Sequence, residues 1–266
     1  MLESLVNQFI YYPGSDWWTT PARLGLEADE VRLTPEPGVG LHAWFFPYPQ
    51  PLNQDPVASR TMRTPSRPLA TLLFCHGNAG NVSHRLENVY YLLQTGFQVL
   101  LFDYRGYGHS SGQPSEEGLY RDAIAAWSYL VERPDTAGVP RIIFGRSLGG
   151  AVAVELATRV TADGLILEST FTSIRTLARL VFPLPLPELP VYYDSLSKIG
   201  RIRMPLLAIH GQEDELIPFA DGKKLFDAAP EPKIWVPLVG AGHNDTYVVG
   251  GEAYFQRLAT FAAELS

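Results

Sequence analysis

Residues 141–157 read RIIFGRSLGGAVAVELA: an apolar run, a glycine-crowded turn, then a small-residue helical stretch. A short apolar strand feeding directly into a helix is the repeating unit of a parallel α/β sheet. In the turn one serine, Ser147, stands between Gly145 and Gly149. A tight turn accounts for the glycines but does not require the hydroxyl. In G-x-S-x-G, missing Cβ atoms let strand and helix approach closely, so the serine is held exposed at the carboxyl edge of the sheet. The amide that follows, Leu148, opens a helix and can donate to a developing negative charge.

The same alternation extends outward. Glu30–Thr34 and Leu41–Phe46 alternate like two strands joined by a turn. From Leu69 onward, apolar runs at Leu69–Gly77, Phe97–Tyr104, Arg141–Gly145, Asp163–Thr170, Pro205–Gly211 and Lys233–Gly240 are separated by helical stretches. The helices fall at Ser83–Thr95, Ser115–Glu132, Leu148–Val160, Phe219–Ala229 and Gly251–Leu265. Near-continuous apolar strands between helices predict a mostly parallel eight-stranded sheet covered on both faces. One α/β domain over residues 1–266 accommodates this pattern. Ligands in such sheets collect at the carboxyl ends of strands, so the residues after each strand carry the chemical reading.

Two stretches break the alternation. Pro47–Pro68 holds six prolines and almost no apolar period, which predicts a surface loop. Thr170–Arg203 is irregular, and its LVFPLPLPELPVYY (residues 180–193) is too apolar for a solvated loop. Proline can neither continue a helix nor donate to a sheet. A small lid over the carboxyl edge is expected there, with Phe182, Leu184, Tyr192 and Tyr193 as candidate substrate contacts; a crossover loop packed on the core is the plainer alternative.

Composition narrows the function. The net charge of −7 and pI near 5.4 argue against nucleic acid, whose phosphates call for basic grooves. Cys75 is the single cysteine, which forbids an internal disulfide and a multi-cysteine metal site and fits a reducing cytoplasm. No P-loop and no G-x-G-x-x-G opens the first βα unit, and histidines and carboxylates do not fall at ligand spacings, so neither cofactor nor metal is expected. Leu2–Tyr12 is amphipathic, with Trp17 and Trp18 beyond; it suits a helix packed on the body or a peripheral membrane contact.

A serine hydroxyl needs a base. His42 lies in a strand and His84 in a helix, while His76 and His210 end strands before glycine and shape their turns. His109, in the loop after YRGYG, is a weak candidate. His243 sits in PLVGAGHNDT, a glycine-rich loop after the last strand, and is the expected base. The base in turn needs an acid to fix its tautomer. AIHGQEDELIP follows the penultimate strand; of Glu213, Asp214 and Glu215, Asp214 has the shorter, more defined reach. Glu168, ending LILE, is the alternative. The order Ser147, Asp214, His243 is that of the α/β hydrolases. LLFCHGNAGN supplies the remaining part: the backbone N–H of Asn78, paired with that of Leu148, as an oxyanion hole. Arg146 is read either as steering an anion or as packing on the sheet.

HGNAGN, FDYRGYGHSSGQPSEEGLYRDA, FGRSLGGAVAVELA, ESTFTSI and HND together resemble the α/β-hydrolase superfamily. Within it they are most similar to the branch of the eukaryotic alpha/beta-hydrolase-domain-containing protein thirteen and its bacterial, Bem46-like relatives. The resemblance covers Leu69–Leu265, and FIYYPG at residues 9–14 extends it. It implies a serine hydrolase with Ser147, Asp214 and His243 as triad, in a family some of whose members remove palmitoyl groups from proteins. Eukaryotic members carry an N-terminal membrane helix; this chain has only a short apolar start, and its Pro47–Pro68 loop is longer than the family pattern.

The expected activity is hydrolysis of a small-molecule or lipid-like carboxylic ester, of medium or long acyl chain. Acyl-protein thioester cleavage would use the same residues. A noncatalytic ligand-binding protein on the same scaffold is the alternative from another class.

Overall fold

A computed structural model describes residues 10–50, 67–181 and 191–265. Its main sheet contains β1 (Asp29–Glu36), β2 (Val39–Phe46), β3 (Thr71–Cys75), β4 (Gln98–Phe102), β5 (Arg141–Arg146), β6 (Gly164–Glu168), β7 (Leu206–Gly211) and β8 (Lys233–Leu238). Their spatial order is β8-β7-β6-β5-β3-β4-β2-β1. β2 runs antiparallel to β1 and β4, and every other neighbouring pair is parallel. The helices are α1 (Leu86–Thr95), α2 (Glu116–Glu132), α3 (Leu148–Ala157), α4 (Ile174–Val181), α5 (Ser195–Ile199), α6 (Phe219–Asp227) and α7 (Thr246–Ala263).

The central strands are apolar over most of their length because both of their faces are covered. In β3, Leu73 and Cys75 join the core under α2, α3 and α6, while Leu72 and Phe74 join the core under α1 and α7. All ten residues of α3 are buried, which explains its lack of a polar face. Local signals set the helix ends. Ser115 caps α2 by accepting the Gly118 N–H at 3.2 Å, with Glu116 and Glu117 in the first turn. Gly96 ends α1 in the left-handed region, at φ 107°.

Several boundaries differ from expectation. His84 lies in a 3-10 turn, Val82–Arg85, ahead of α1. The last helix begins earlier than Gly251, at Thr246, and Gly251 (φ 51°, ψ −140°) interrupts it. The predicted N-terminal helix does not reach Tyr12: Tyr12–Pro13 pairs in parallel with Ala79–Gly80. The rest of that prediction, residues 1–9, and most of the proline-rich loop, 51–66, lie outside the described residues. Thr170–Arg203 contributes α4 and α5, and its residues 182–190, with Phe182 and Leu184, also lie outside them. Among the described residues no helix is long and apolar enough to cross a membrane.

Candidate active site

The turn between β5 and α3 is packed to the limit. A Cβ on Gly149 would sit 2.0 Å from the Cys75 carbonyl oxygen, and one on Gly145 would sit 2.5 Å from the Ala153 Cβ. Only glycine lets α3 lie this close to β3 and β5. Between them Ser147 adopts φ 53°, ψ −121°, a conformation that costs a non-glycine residue about 1–3 kcal/mol. The surroundings hold it there: its N–H donates to the Glu168 carbonyl at 2.9 Å, and its carbonyl accepts from the Thr170 hydroxyl at 2.8 Å. Leu148, the first residue of α3, has an amide with no intrahelical acceptor.

His243, in the loop between β8 and α7, meets this turn. Its Nε2 lies 3.1 Å from Ser147 Oγ. Its Nδ1 lies 2.9 Å from Oδ2 and 3.1 Å from Oδ1 of Asp214, which follows β7. Asp214 Oδ1 also accepts the backbone N–H groups of Leu216 at 3.0 Å and Ile217 at 2.8 Å. Burial pushes the Asp214 carboxyl up, but the His243 bond and charge, the Ile217 amide and His210 together hold it below the usual carboxylate range. An ionised, oriented acid behind Nδ1 leaves Nε2 free to take the serine proton.

The loop after β3 borders the same point: a Cβ on Gly77 would lie 3.4 Å from Ser147 Cβ and 4.0 Å from its Oγ. Asn78 follows, and both ends of its side-chain amide are hydrogen-bonded. Oδ1 accepts the Tyr107 hydroxyl at 2.7 Å and the Tyr12 N–H at 3.3 Å, and Nδ2 donates to the Ile10 carbonyl at 2.5 Å. The N-terminal stretch therefore fastens this loop.

Other expected residues fall elsewhere. Glu168 is fully buried and does not reach His243. It pairs with Arg146 Nε at 3.0 Å and accepts the hydroxyls of Thr246, at 2.6 Å, and Tyr254. Arg146 is thereby an internal ion-pair partner, not an anion-steering surface charge. His109 stacks on Trp17, with ring centroids 4.0 Å apart, and Trp17 also packs on His42 and Trp44. Trp17 is thus a packing residue. Tyr193 has no exposed surface: its hydroxyl bonds the Tyr11 hydroxyl at 2.7 Å and its N–H donates to Glu116 at 2.9 Å. Packing replaces the substrate contact expected of Tyr193; Tyr192 is partly buried against the same core.

Sequence reasoning missed the role of His210. Its Nε2 bonds the Ile217 carbonyl at 2.9 Å and lies 3.4 Å from Asp214 Oδ2, so it backs the acid and does not merely shape a turn. The four-residue spacing from Asp214 was the available signal. Among the described residues no group of three or more His, Cys, Asp or Glu is placed to hold a metal ion.

Relatives share nearly the whole chain. Over 259 residues it is 37% identical to protein bem46 of Schizosaccharomyces pombe, covering 92% of this chain and 80% of that protein. Over 284 residues it is 34% identical to the alpha/beta hydrolase domain-containing protein WAV2 of Arabidopsis thaliana, covering 96% and 87%. The chain belongs to the α/β-hydrolase family, in the branch of Bem46. A family model described as "Serine aminopeptidase, S33" matches residues 66–192 of this α/β hydrolase. Its fold is that of the Pyrococcus furiosus esterase Pf2001, with a TM-score of 0.74 at 21% identity over 96% of this chain and 100% of that one.

Proposed function

We propose that this α/β hydrolase cleaves carboxylic esters through an acyl-enzyme on Ser147. The continuous hydrogen-bonded line from Ser147 Oγ through the His243 ring to Asp214 carries the proposal. Oγ attacks the ester carbonyl carbon as Nε2 takes its proton. The tetrahedral oxyanion is held by the backbone N–H groups of Leu148 and Asn78, the first at a helix N-terminus and the second on the loop that borders Ser147. Collapse expels the alcohol, which takes the proton from Nε2. Water, deprotonated by the same nitrogen, then releases the acid. Asp214 keeps the ring oriented and stabilises the imidazolium.

The P. furiosus neighbour is described as an esterase, which supports the ester over the amide suggested by the family model's description. The apolar residues 180–191 support a medium or long, lipid-like acyl chain. Thioesters fit the same steps, and rates on matched oxoester and thioester pairs separate the two.

The test is turnover of a p-nitrophenyl ester series from acetyl to palmitoyl by wild type and Ser147→Ala. Wild type should favour the longer chains, and the variant should lose about six orders of magnitude in kcat. Equal turnover by the two would refute the serine mechanism, and a preference for acetyl would refute the acyl preference alone.

A further inference from the structure

His243 is gripped at both ends of its own backbone. Its N–H donates to Oε2 of Glu215 at 3.1 Å, and its carbonyl accepts from Nη2 of Arg146 at 2.8 Å. These two side chains are chain neighbours of the other two members of the line: Arg146 precedes Ser147, and Glu215 follows Asp214. We infer that Arg146 and Glu215 form a charged bracket that sets His243 in register with Ser147 and Asp214. This rests on the serine-hydrolase reading above, and it makes both groups positioning residues, since neither touches the reacting atoms.

The loop needs such a bracket. Gly240, Ala241 and Gly242 precede His243, and Gly240 sits at φ 77°, so backbone stiffness alone does little to fix the imidazole. An error of about 1 Å in the base can cost on the order of a hundredfold in rate. Gly242 also makes room for the acidic arm: a Cβ there would lie 2.9 Å from Glu215 Oε2. The basic arm is anchored internally. Arg146 is 5% exposed, and its Nε pairs with Glu168, whose carboxylate also holds Thr246 and Tyr254 of α7. One guanidinium thus fastens the His243 loop and, through Glu168, the helix that follows it. The planar fork of arginine reaches the carboxylate and the carbonyl at once, which a lysine ammonium on a single flexible stem reproduces poorly. A buried pair of this kind contributes little net stability, so its use here is geometric.

Glu215 is exposed, so its truncation leaves the core intact. The experiment compares wild type, Glu215→Ala, Glu215→Gln and Arg146→Lys in the full chain. It reads kcat and KM on p-nitrophenyl butyrate, the second-order rate of fluorophosphonate labelling, and the thermal midpoint. Glu215→Ala should lower kcat and the labelling rate about tenfold with KM and the midpoint unchanged. Glu215→Gln, which retains an acceptor oxygen for the His243 N–H, should recover most of that loss. Arg146→Lys should lower kcat by at least as much as Glu215→Ala. Wild-type rates in Glu215→Ala overturn the bracket, as does a loss confined to KM or one that glutamine fails to rescue. The Glu215 pair decides even where Arg146→Lys lowers the midpoint. A wild-type chain that neither turns over ester nor labels overturns the serine-hydrolase reading itself, an outcome distinct from all of these.

Discussion

Ser147 Oγ stands 3.1 Å from His243 Nε2 across 96 positions of sequence. The contact exists because β5 and β8 deliver their following loops to one edge of the sheet. β6 and β7 lie between those strands, and the loop after β7 brings Asp214 to the far side of the ring.

Asp214→Asn should preserve the fold while placing an amide against Nδ1. That favours the tautomer with its proton on Nε2, where it cannot accept from serine. The expected loss in kcat is about 10³–10⁴-fold, measured on any ester that wild type turns over. A loss below tenfold would mean that Asp214 does not orient the base.

Stability should fall on mild acidification. Burial holds the His76 imidazole down to about 4, against the pull of Asp103 in the other direction. The folded chain therefore keeps His76 neutral where the unfolded chain protonates it. This contribution is fully present above about pH 6.5, declines as pH falls toward about 4, and amounts to about 3 kcal/mol at most. The depressed Asp214 carboxyl adds a further loss at lower pH, once its unfolded counterpart protonates. Urea unfolding at pH 7.5, 6, 5 and 4.5 should show the decline, and His76→Asn should flatten it. A profile identical in wild type and variant would refute the assignment to His76.

Gly149→Ala should be severely destabilising, by about 3 kcal/mol or more, because its Cβ meets the Cys75 carbonyl oxygen at 2.0 Å and backbone cannot yield as a flexible side chain can. Chemical denaturation checks it; an unchanged midpoint would contradict the packing described between α3 and β3.

Tyr193→Phe distinguishes packing from substrate contact. Removing the hydroxyl breaks the buried bond to Tyr11 and should lower stability by about 1 kcal/mol with KM unchanged. A raised KM at unaltered stability would restore the substrate role.

Much of this was legible in the sequence because local rules and the fold agree. Strands covered on both faces must be apolar over most of their length, so β3 to β7 are legible, and the glycines around Ser147 are required by approaches of 2.0 and 2.5 Å. Ser147, Asp214 and His243 could be chosen because each follows a strand at the edge where parallel strands all end. What escaped was the set of contacts made by side chains between elements. Nothing local to Arg146 says that its guanidinium turns inward to Glu168 and the His243 carbonyl, and nothing in ESTFTSI says that Glu168 is already committed to α7. The packing of Tyr193 is illegible for the same reason: an aromatic residue beside a proline-rich apolar run reads as lid, yet its partners, Tyr11 and Glu116, come from distant parts of the chain. The extended pairing of Tyr12–Pro13 likewise depends on a strand partner, Ala79–Gly80, that lies far along the sequence.

Intact-mass spectrometry after incubation with a fluorophosphonate tests the central claim most directly. A single stoichiometric adduct is expected on wild type, mapped to Ser147 by peptide sequencing, and none on Ser147→Ala or on wild type denatured beforehand. An adduct on another residue, or equal labelling of wild type and Ser147→Ala, would contradict it.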